Sequence, residues 1–382
     1  VKIAMFTDSF HPTVDGAVVS MERQCEGLER RGHEVVVIAP DANERCEYPR
    51  PVHYLPSAEF RSYKGYRIVV SPSDMLDYLR QERVDIVHCH GLASMAILSL
   101  TAARALKLPH LLTFHTMANE AIKYYSFLGL REDLMVPLVW VYLRNMLRRP
   151  HVVIAPSRPV KDELVANRVE ARSWDVIPTG VDCTRFSPSN RDPAILARHG
   201  LEGKRVMLHV GRLSHEKRLD IVLRGMAEIA PSRPDLRLLV AGSGPAEAHY
   251  RNLCGSLGLS DRVVFAGFMP DDELAGAYAT CDMLVLASTF ETQGLVVLEA
   301  MASGTPVAGM RFRAIPEFVK EGVNGCLFDE ESCAEGMARC LDGLATLRGN
   351  TTATAKEHTV ESCTAKLERA YEHATDMRNA DR

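Results

Sequence analysis

Apolar and polar positions alternate along this chain in two registers. Short runs rich in Val, Ile and Leu, bounded by Gly, Pro or Asp, predict buried parallel strands. They stand at Val1–Phe6, Gly32–Pro40, Val84–Gly91, Leu108–Thr116, His151–Ser157 and Trp174–Phe186. Between them, Met21–His33, Ser94–Leu106 and Arg158–Asn167 predict helices, so the order is that of repeated βαβ units. A cluster of Ser, Pro and Asp around Ser187-Pro188 has linker composition. The alternation then resumes. Lys204–Leu213, Asp235–Pro245, Arg262–Pro270, Cys281–Ser288, Thr305–Met310 and Asn324–Phe328 predict a second set of strands. A helix is expected from Ser214, and another over residues 354–374. The expected fold class is α/β, with two Rossmann-like domains at 1–182 and 183–357 and a small-molecule cleft between them.

Bulk properties narrow the function. A chain of 382 residues is comfortable for two domains, and 46% hydrophobic with 25% charged residues is ordinary globular composition. A net charge of −4 argues against broad nucleic-acid binding. The ten cysteines are scattered, without a CxxC pair or a zinc-like Cys/His cluster. They fit reduced, buried small hydrophobes in a reducing, cytoplasmic compartment. Val1–Phe6 is expected as a strand rather than a signal peptide, because Asp8 follows at once. No apolar run is long enough to span a membrane.

Candidate chemistry gathers in Ala287–Gly304. Here a strand leads through Thr292-Gln293-Gly294-Leu295 into a helix, with Glu291 before the turn and Glu299 after it. The helix N-terminus favours an anion such as phosphate. Glu291 can accept hydroxyl hydrogen bonds. Glu299, about two helical turns on, is placed to reach a second polyol such as a ribose. Arg212 and Lys217 follow another strand, with Lys217 expected in the first turn of the next helix. The macrodipole disfavours a cation there unless an anion joins it, so the pair fits a phosphate clamp. Gly16, Gly242 and Gly244 are expected where backbone closes on a ligand. His115, at a strand's carboxyl end, fits either a catalytic group or a satisfied structural imidazole. Met117–Pro150 mixes aromatic and aliphatic residues with Lys123, Arg131, Arg144, Arg148 and Arg149. That composition fits a surface lying on an anionic membrane, or two helices with a basic rim.

The chain resembles the retaining nucleotide-sugar glycosyltransferases of family 4, which have the GT-B fold. The resemblance rests on Pro12–Gly16, VDIVHCHG, TFHT, IPTGVD, GRLSHEKRLD, VAGSGP, FAGF and FETQGLVVLEAMASGTPVAG, in family order across nearly the whole chain. It implies that Arg212 and Lys217 bind the donor diphosphate and stabilise the leaving group, without a metal or other cofactor. Gly16 would approach the same phosphates, and Gly242 and Gly244 would lie at the donor. Glu291 would contact the sugar hydroxyls, Glu299 the ribose, and the backbone of Thr292, Gln293, Gly294 and Leu295 the sugar and phosphate. The base would be met by backbone near Phe268-Met269, and His115 would lie by the anomeric centre. One departure is Asp15, which stands where many members have Gly.

His115, Thr116, Glu120 and Tyr125 are similar to a pattern in bacterial enzymes that glucosylate diacylglycerol. The stretch also resembles mannosyltransferases acting on lipid-linked inositol or sugars. Implied partners are therefore a nucleotide sugar of UDP-glucose or GDP-mannose type and a lipid acceptor, with peripheral binding to the cytoplasmic membrane face. A soluble sugar or polyol acceptor, a GT-B epimerase and a sugar-nucleotide sensor are the alternatives. In the family the tail helix crosses back, so residues from about 358 are expected to pack on the first domain.

Overall fold

The computed structural model describes residues 1–12, 15–42, 47–59, 67–72, 74–115, 117 and 132–381, with side chains in the last range from 135 onward. It comprises two compact units, one of Val1–Gly180 with Val360–Arg382 and one of Val181–Thr359.

In the first unit the six apolar runs and one further short segment form seven parallel strands. These are β1 (Lys2–Phe6), β2 (Glu34–Pro40), β3 (Val52–Leu55), β6 (Ile86–Cys89), β7 (His110–Thr113), β8 (Val152–Ala155) and β9 (Trp174–Val176). Their spatial order is β3-β2-β1-β6-β7-β8-β9. A small antiparallel ribbon, β4 (Ser57–Glu59) and β5 (Arg67–Val69), stands apart from the sheet. Because strand side chains alternate between faces, each face carries its own core. Phe6, Ile38, Val87 and Leu112 pack beneath α2 (Met75–Gln81), α3 (Ser94–Leu106), α4 (Glu132–Leu147) and α5 (Arg158–Ala166). On the other face Met5, Val37, Leu111 and Ile154 meet α1 (Gly16–Arg30) and the tail helix Val360–Ala380.

The second unit has six parallel strands: β10 (Arg205–Val210), β11 (Leu236–Ala241), β12 (Val263–Gly267), β13 (Met283–Leu286), β14 (Val307–Met310) and β15 (Gly325–Phe328). Their order is β12-β11-β10-β13-β14-β15. Its helices include α6 (Pro193–Arg198), α7 (Leu219–Ile229), α8 (Glu247–Ser256), α9 (Asp271–Thr280), α10 (Leu295–Ala302), α11 (Ile315–Phe318), α12 (Cys333–Asp342) and α13 (Leu344–Glu357). In both sheets the chain winds outward from a central strand, returns, and winds out the other way. Each unit thus has a topological switch point, between β1 and β6 and between β10 and β13, at whose carboxyl end ligands bind in such sheets.

The tail is two helices rather than one. It breaks at His358-Thr359 between α13 and α14 (Val360–Ala380). The break is held by the Val181 N–H donating to the His358 carbonyl at 2.9 Å. Helix α14 packs on the first unit, as the family resemblance implies. Its Cys363, Leu367, Ala370 and Tyr371 are buried in that core. Gly27 lets α1 come close, since a Cβ there would lie 2.0 Å from Thr364 Oγ1. The nine described cysteines are all free, and only Cys183 among them is not buried.

Candidate active site

Loops after β10 and β13 bring the second unit's candidate residues together. Lys217 and Glu291, 74 positions apart, form an ion pair with side chains only 21% and 11% exposed. The Thr289 N–H donates to the Glu216 carbonyl at 3.2 Å, and the Ala314 N–H to the Glu291 carbonyl at 3.3 Å, so the loops are tied by backbone. Glu216, which the sequence did not single out, is buried and accepts from Ser214 Oγ at 2.6 Å.

Lys217 is not in the first turn of an α-helix. It ends a 3-10 turn, His215–Lys217. Arg218 then adopts a left-handed φ of 49° before α7 begins at Leu219. The macrodipole argument therefore fails here. Glu291, not a helix end, sets the electrostatics of this cation. Arg212 is exposed and its guanidinium has no partner among the described residues.

Glu291 lies in the loop before the turn, as the sequence suggests, but the helix starts only at Leu295, so Glu299 stands about one turn into it rather than two. Helix α10 starts at Leu295 behind Gly294, whose φ of 67° and missing side chain are both required, because a Cβ would meet the Phe318 ring at 2.9 Å. No side chain caps α10, and the Val297 and Leu298 N–H groups donate to the Gly294 carbonyl at 3.0 and 3.1 Å. Thr292 and Gln293 are buried in the turn. Glu299 is buried within α10 and accepts from the Tyr278 hydroxyl at 2.9 Å.

Gly242 and Gly244 have a reason within the fold. A Cβ on Gly242 would lie 2.0 Å from the Gly211 carbonyl oxygen, and one on Gly244 would lie 2.4 Å from that of Leu213. Their absent side chains let two loops pack backbone to backbone. Gly16 is different: a Cβ there meets nothing within 4 Å. It is the first residue of α1, capped by Asp15, whose carboxylate accepts from the Ala17 and Val18 N–H groups at 2.9 and 3.0 Å. The Met269 side chain is buried in the core, whereas Phe268 beside it is 79% exposed.

In the first unit His115 follows β7 and is buried. Burial pushes it down to about 3, so it is neutral at pH 7. His90, just past β6, meets it, with Nδ1 of His90 2.8 Å from Nε2 of His115. In the sequence His90 stands out only as part of VDIVHCHG. Thr116, Glu120 and Tyr125 lie outside the described residues.

Two parallel α/β units, with a cation–carboxylate pair at the second unit's switch point, are the build of a GT-B glycosyltransferase. The chain belongs to glycosyltransferase family 4. Residues 14–185 match the model "Glycosyltransferase Family 4" and residues 192–357 match "Glycosyl transferases group 1". The chain is 30% identical to alpha-monoglucosyldiacylglycerol synthase of Streptococcus pneumoniae over 86% of its own length and 75% of that protein's. It is 31% identical to a GDP-mannose-dependent alpha-mannosyltransferase of Mycolicibacterium smegmatis over 80% of its length and 78% of that protein's. Among solved structures, Anabaena Alr3699/HepE in complex with UDP superposes with a TM-score of 0.77 at 20% identity, covering 97% of this chain and 100% of that one.

Proposed function

We propose that this chain transfers a hexose, glucose or mannose, from a nucleoside diphosphate sugar to a membrane lipid with retention at the anomeric carbon. The observation that carries the reading is the Lys217–Glu291 pair at the β10/β13 switch, with Arg212, whose guanidinium has no partner among the described residues, in the same loop after β10 and with α10 starting at Leu295 without a side-chain cap. A departing diphosphate gains negative charge, and cations with helix N–H groups already in place stabilise it most where water is excluded. Arg212 and Lys217 take that charge. Glu291 and the backbone of residues 292–295 hold the sugar, Glu299 the ribose, and Gly16 leaves room for phosphate. Gly242 and Gly244 shape the donor loop, with the backbone at Met269 at the base. His115 meets the transferred sugar, and the sequence pattern alone assigns Glu120 and Tyr125 to the acceptor. The sugar–phosphate C–O bond breaks as the acceptor oxygen bonds from the same face, and the acceptor proton passes to the departing phosphate oxygen.

A lipid acceptor fits the names of the relatives and the face formed by α3 and α4. A groove of about 320 Å³ there includes Ile97, Arg104, Tyr142 and Arg149 in its lining. Beside it Leu138 and Val141 are 61% and 50% exposed, and Ile97 is 52% exposed. Apolar side chains beside Arg104 and Arg149 suit an anionic bilayer surface, where each adds binding. No helix among the described residues is long and apolar enough to cross a membrane; the attachment we propose is peripheral, at the cytoplasmic face.

The test is product release from UDP-glucose, UDP-GlcNAc, UDP-galactose and GDP-mannose, with and without liposomes holding diacylglycerol or phosphatidylinositol. Nucleoside diphosphate is expected from one donor and only with lipid. Release with a soluble acceptor alone would overturn the lipid reading, and donor conversion without acceptor would indicate an epimerase. Replacing Leu138 and Val141 by Glu should abolish pelleting with anionic liposomes while leaving the fold intact by circular dichroism. Unchanged pelleting would clear this face of the role.

A further inference from the structure

We propose that the Phe268 side chain is a donor-binding residue, the ring on which the nucleobase of the nucleotide sugar stacks. This role rests on the glycosyltransferase reading.

A single exposed apolar side chain is ordinary on a protein surface. Phe268 is set apart by its type and its place. Of the large apolar side chains left exposed among the described residues, it is the only aromatic one and, at 79%, the most exposed. It follows β12 directly, behind Gly267, whose φ of 74° turns the chain out of the strand. Met269, next along, is buried in the core, so the backbone is anchored there while the Phe268 ring stays in solvent. Pro270 then leads into α9.

This loop lies at the carboxyl end of the sheet, where ligands bind in such folds. It stands in a row with the loops that carry the phosphate-binding candidates, and backbone ties the row together. The Gly242 N–H donates to the Gly267 carbonyl at 2.7 Å, the Gly211 N–H to the Ala241 carbonyl at 3.1 Å, and the Leu213 N–H to the Ser243 carbonyl at 3.0 Å. The order β12-β11-β10 sets Phe268 two strand spacings from the loop of Arg212 and Lys217, about 10 Å at the usual interstrand distance. A phosphate and a pentose fill such a span and leave the base at β12. The position of Glu299 agrees. It accepts from the Tyr278 hydroxyl at 2.9 Å, and Tyr278 belongs to α9, the helix that the Phe268 loop opens. A diphosphate at β10 with its ribose at Glu299 brings the base to the exposed ring. Every base has a π face, so an aromatic platform gives affinity without a hydrogen-bond code.

The experiment is calorimetric binding of UDP and GDP to the full chain. Phe268→Ala should weaken whichever nucleotide the wild type binds more tightly by about 5- to 150-fold, the range for one base–aromatic stack. Phe268→Leu, apolar but without a ring face, should lose nearly as much, whereas Phe268→Tyr should bind as the wild type does. Urea midpoints of all three should match the wild type, because the side chain stands in solvent. A second readout is direct. In Phe268→Trp the added indole, measured by difference from the wild type, should lose fluorescence when the nucleotide binds and keep it with inorganic pyrophosphate alone. Undiminished affinity in the Ala or Leu variant, an equal loss in the Tyr variant, or nucleotide binding by the Trp variant without a fluorescence change would overturn the proposal and leave the glycosyltransferase reading standing. A wild type that binds neither UDP nor GDP would overturn both.

Discussion

Lys217→Met should lower kcat/KM by about 10²- to 10³-fold, the cost of removing one preorganised group that stabilises transition-state charge. It should also destabilise the second unit, because Glu291 is left 11% exposed with its cation gone. Breaking a buried pair from one side costs about 3 kcal/mol, and the partial exposure of Lys217 trims that to about 2 kcal/mol. Loss of activity alone would therefore not separate chemistry from folding. The double variant Lys217→Met/Glu291→Leu does. Replacing both partners with apolar groups of similar size is often neutral for stability. The double variant should thus regain the wild-type urea midpoint and remain inactive. Recovered turnover in it would show that the pair is a structural brace and would sink its assignment to the donor diphosphate and sugar.

What could be read from the sequence divides along a physical line. The core strands of both sheets were legible because a buried parallel strand needs an unbroken apolar run. Strands β3, β4 and β5 and helix α2 were not assigned. They are short, partly exposed pieces of a polar stretch, and local pattern says little about such pieces. The helix start at Ser214 was misplaced because Arg218 takes a left-handed φ, a conformation disfavoured for a side-chain-bearing residue. Its guanidinium bonds to Asp220 and Glu330 hold it there, and Glu330 is 112 residues away. The single tail helix became two because of a bond to Val181, another distant contact.

The site follows the same division. Arg212, Lys217, Glu291 and Glu299 could be named from motifs, but the contact between Lys217 and Glu291 depends on β10 lying beside β13. Strand order of that kind has no local signature. The three glycines looked alike as loop residues. Only the built backbone separates Gly242 and Gly244, which the chain's own loops require, from Gly16, which nothing within the described chain requires. His90 carried a signal in its two-residue spacing from His88, yet its partner is 25 positions away.

Acid should unfold the first unit before the second. His88, His90, His110 and His115 are buried in the first unit, against His209 alone in the second. Burial pushes His88, His110 and His115 down to about 3 and His209 down to about 4, and holds His90 well below its usual range. A histidine in the unfolded chain titrates near 6.5, so below that pH the unfolded state binds more protons than the native state. Their contribution is fully present above about pH 6.5 and drains away as pH falls toward about 3. Near pH 5 each such group costs about 2 kcal/mol, and several together rival the whole stability of a typical domain. His88 also holds the tail helix, since its Nδ1 lies 2.9 Å from the Tyr371 hydroxyl and its Nε2 2.7 Å from Thr113 Oγ1. Both tryptophans of the chain, Trp140 and Trp174, belong to the first unit, so their fluorescence reports on it alone. On titration from pH 7 downward, the fluorescence change should be complete while much of the helical circular dichroism persists. The remaining signal should be lost at lower pH with the second unit. A fluorescence transition coincident with the whole loss of helix, or none above pH 4, would mean that these imidazoles are hydrated or paired in solution in a way their burial here does not allow.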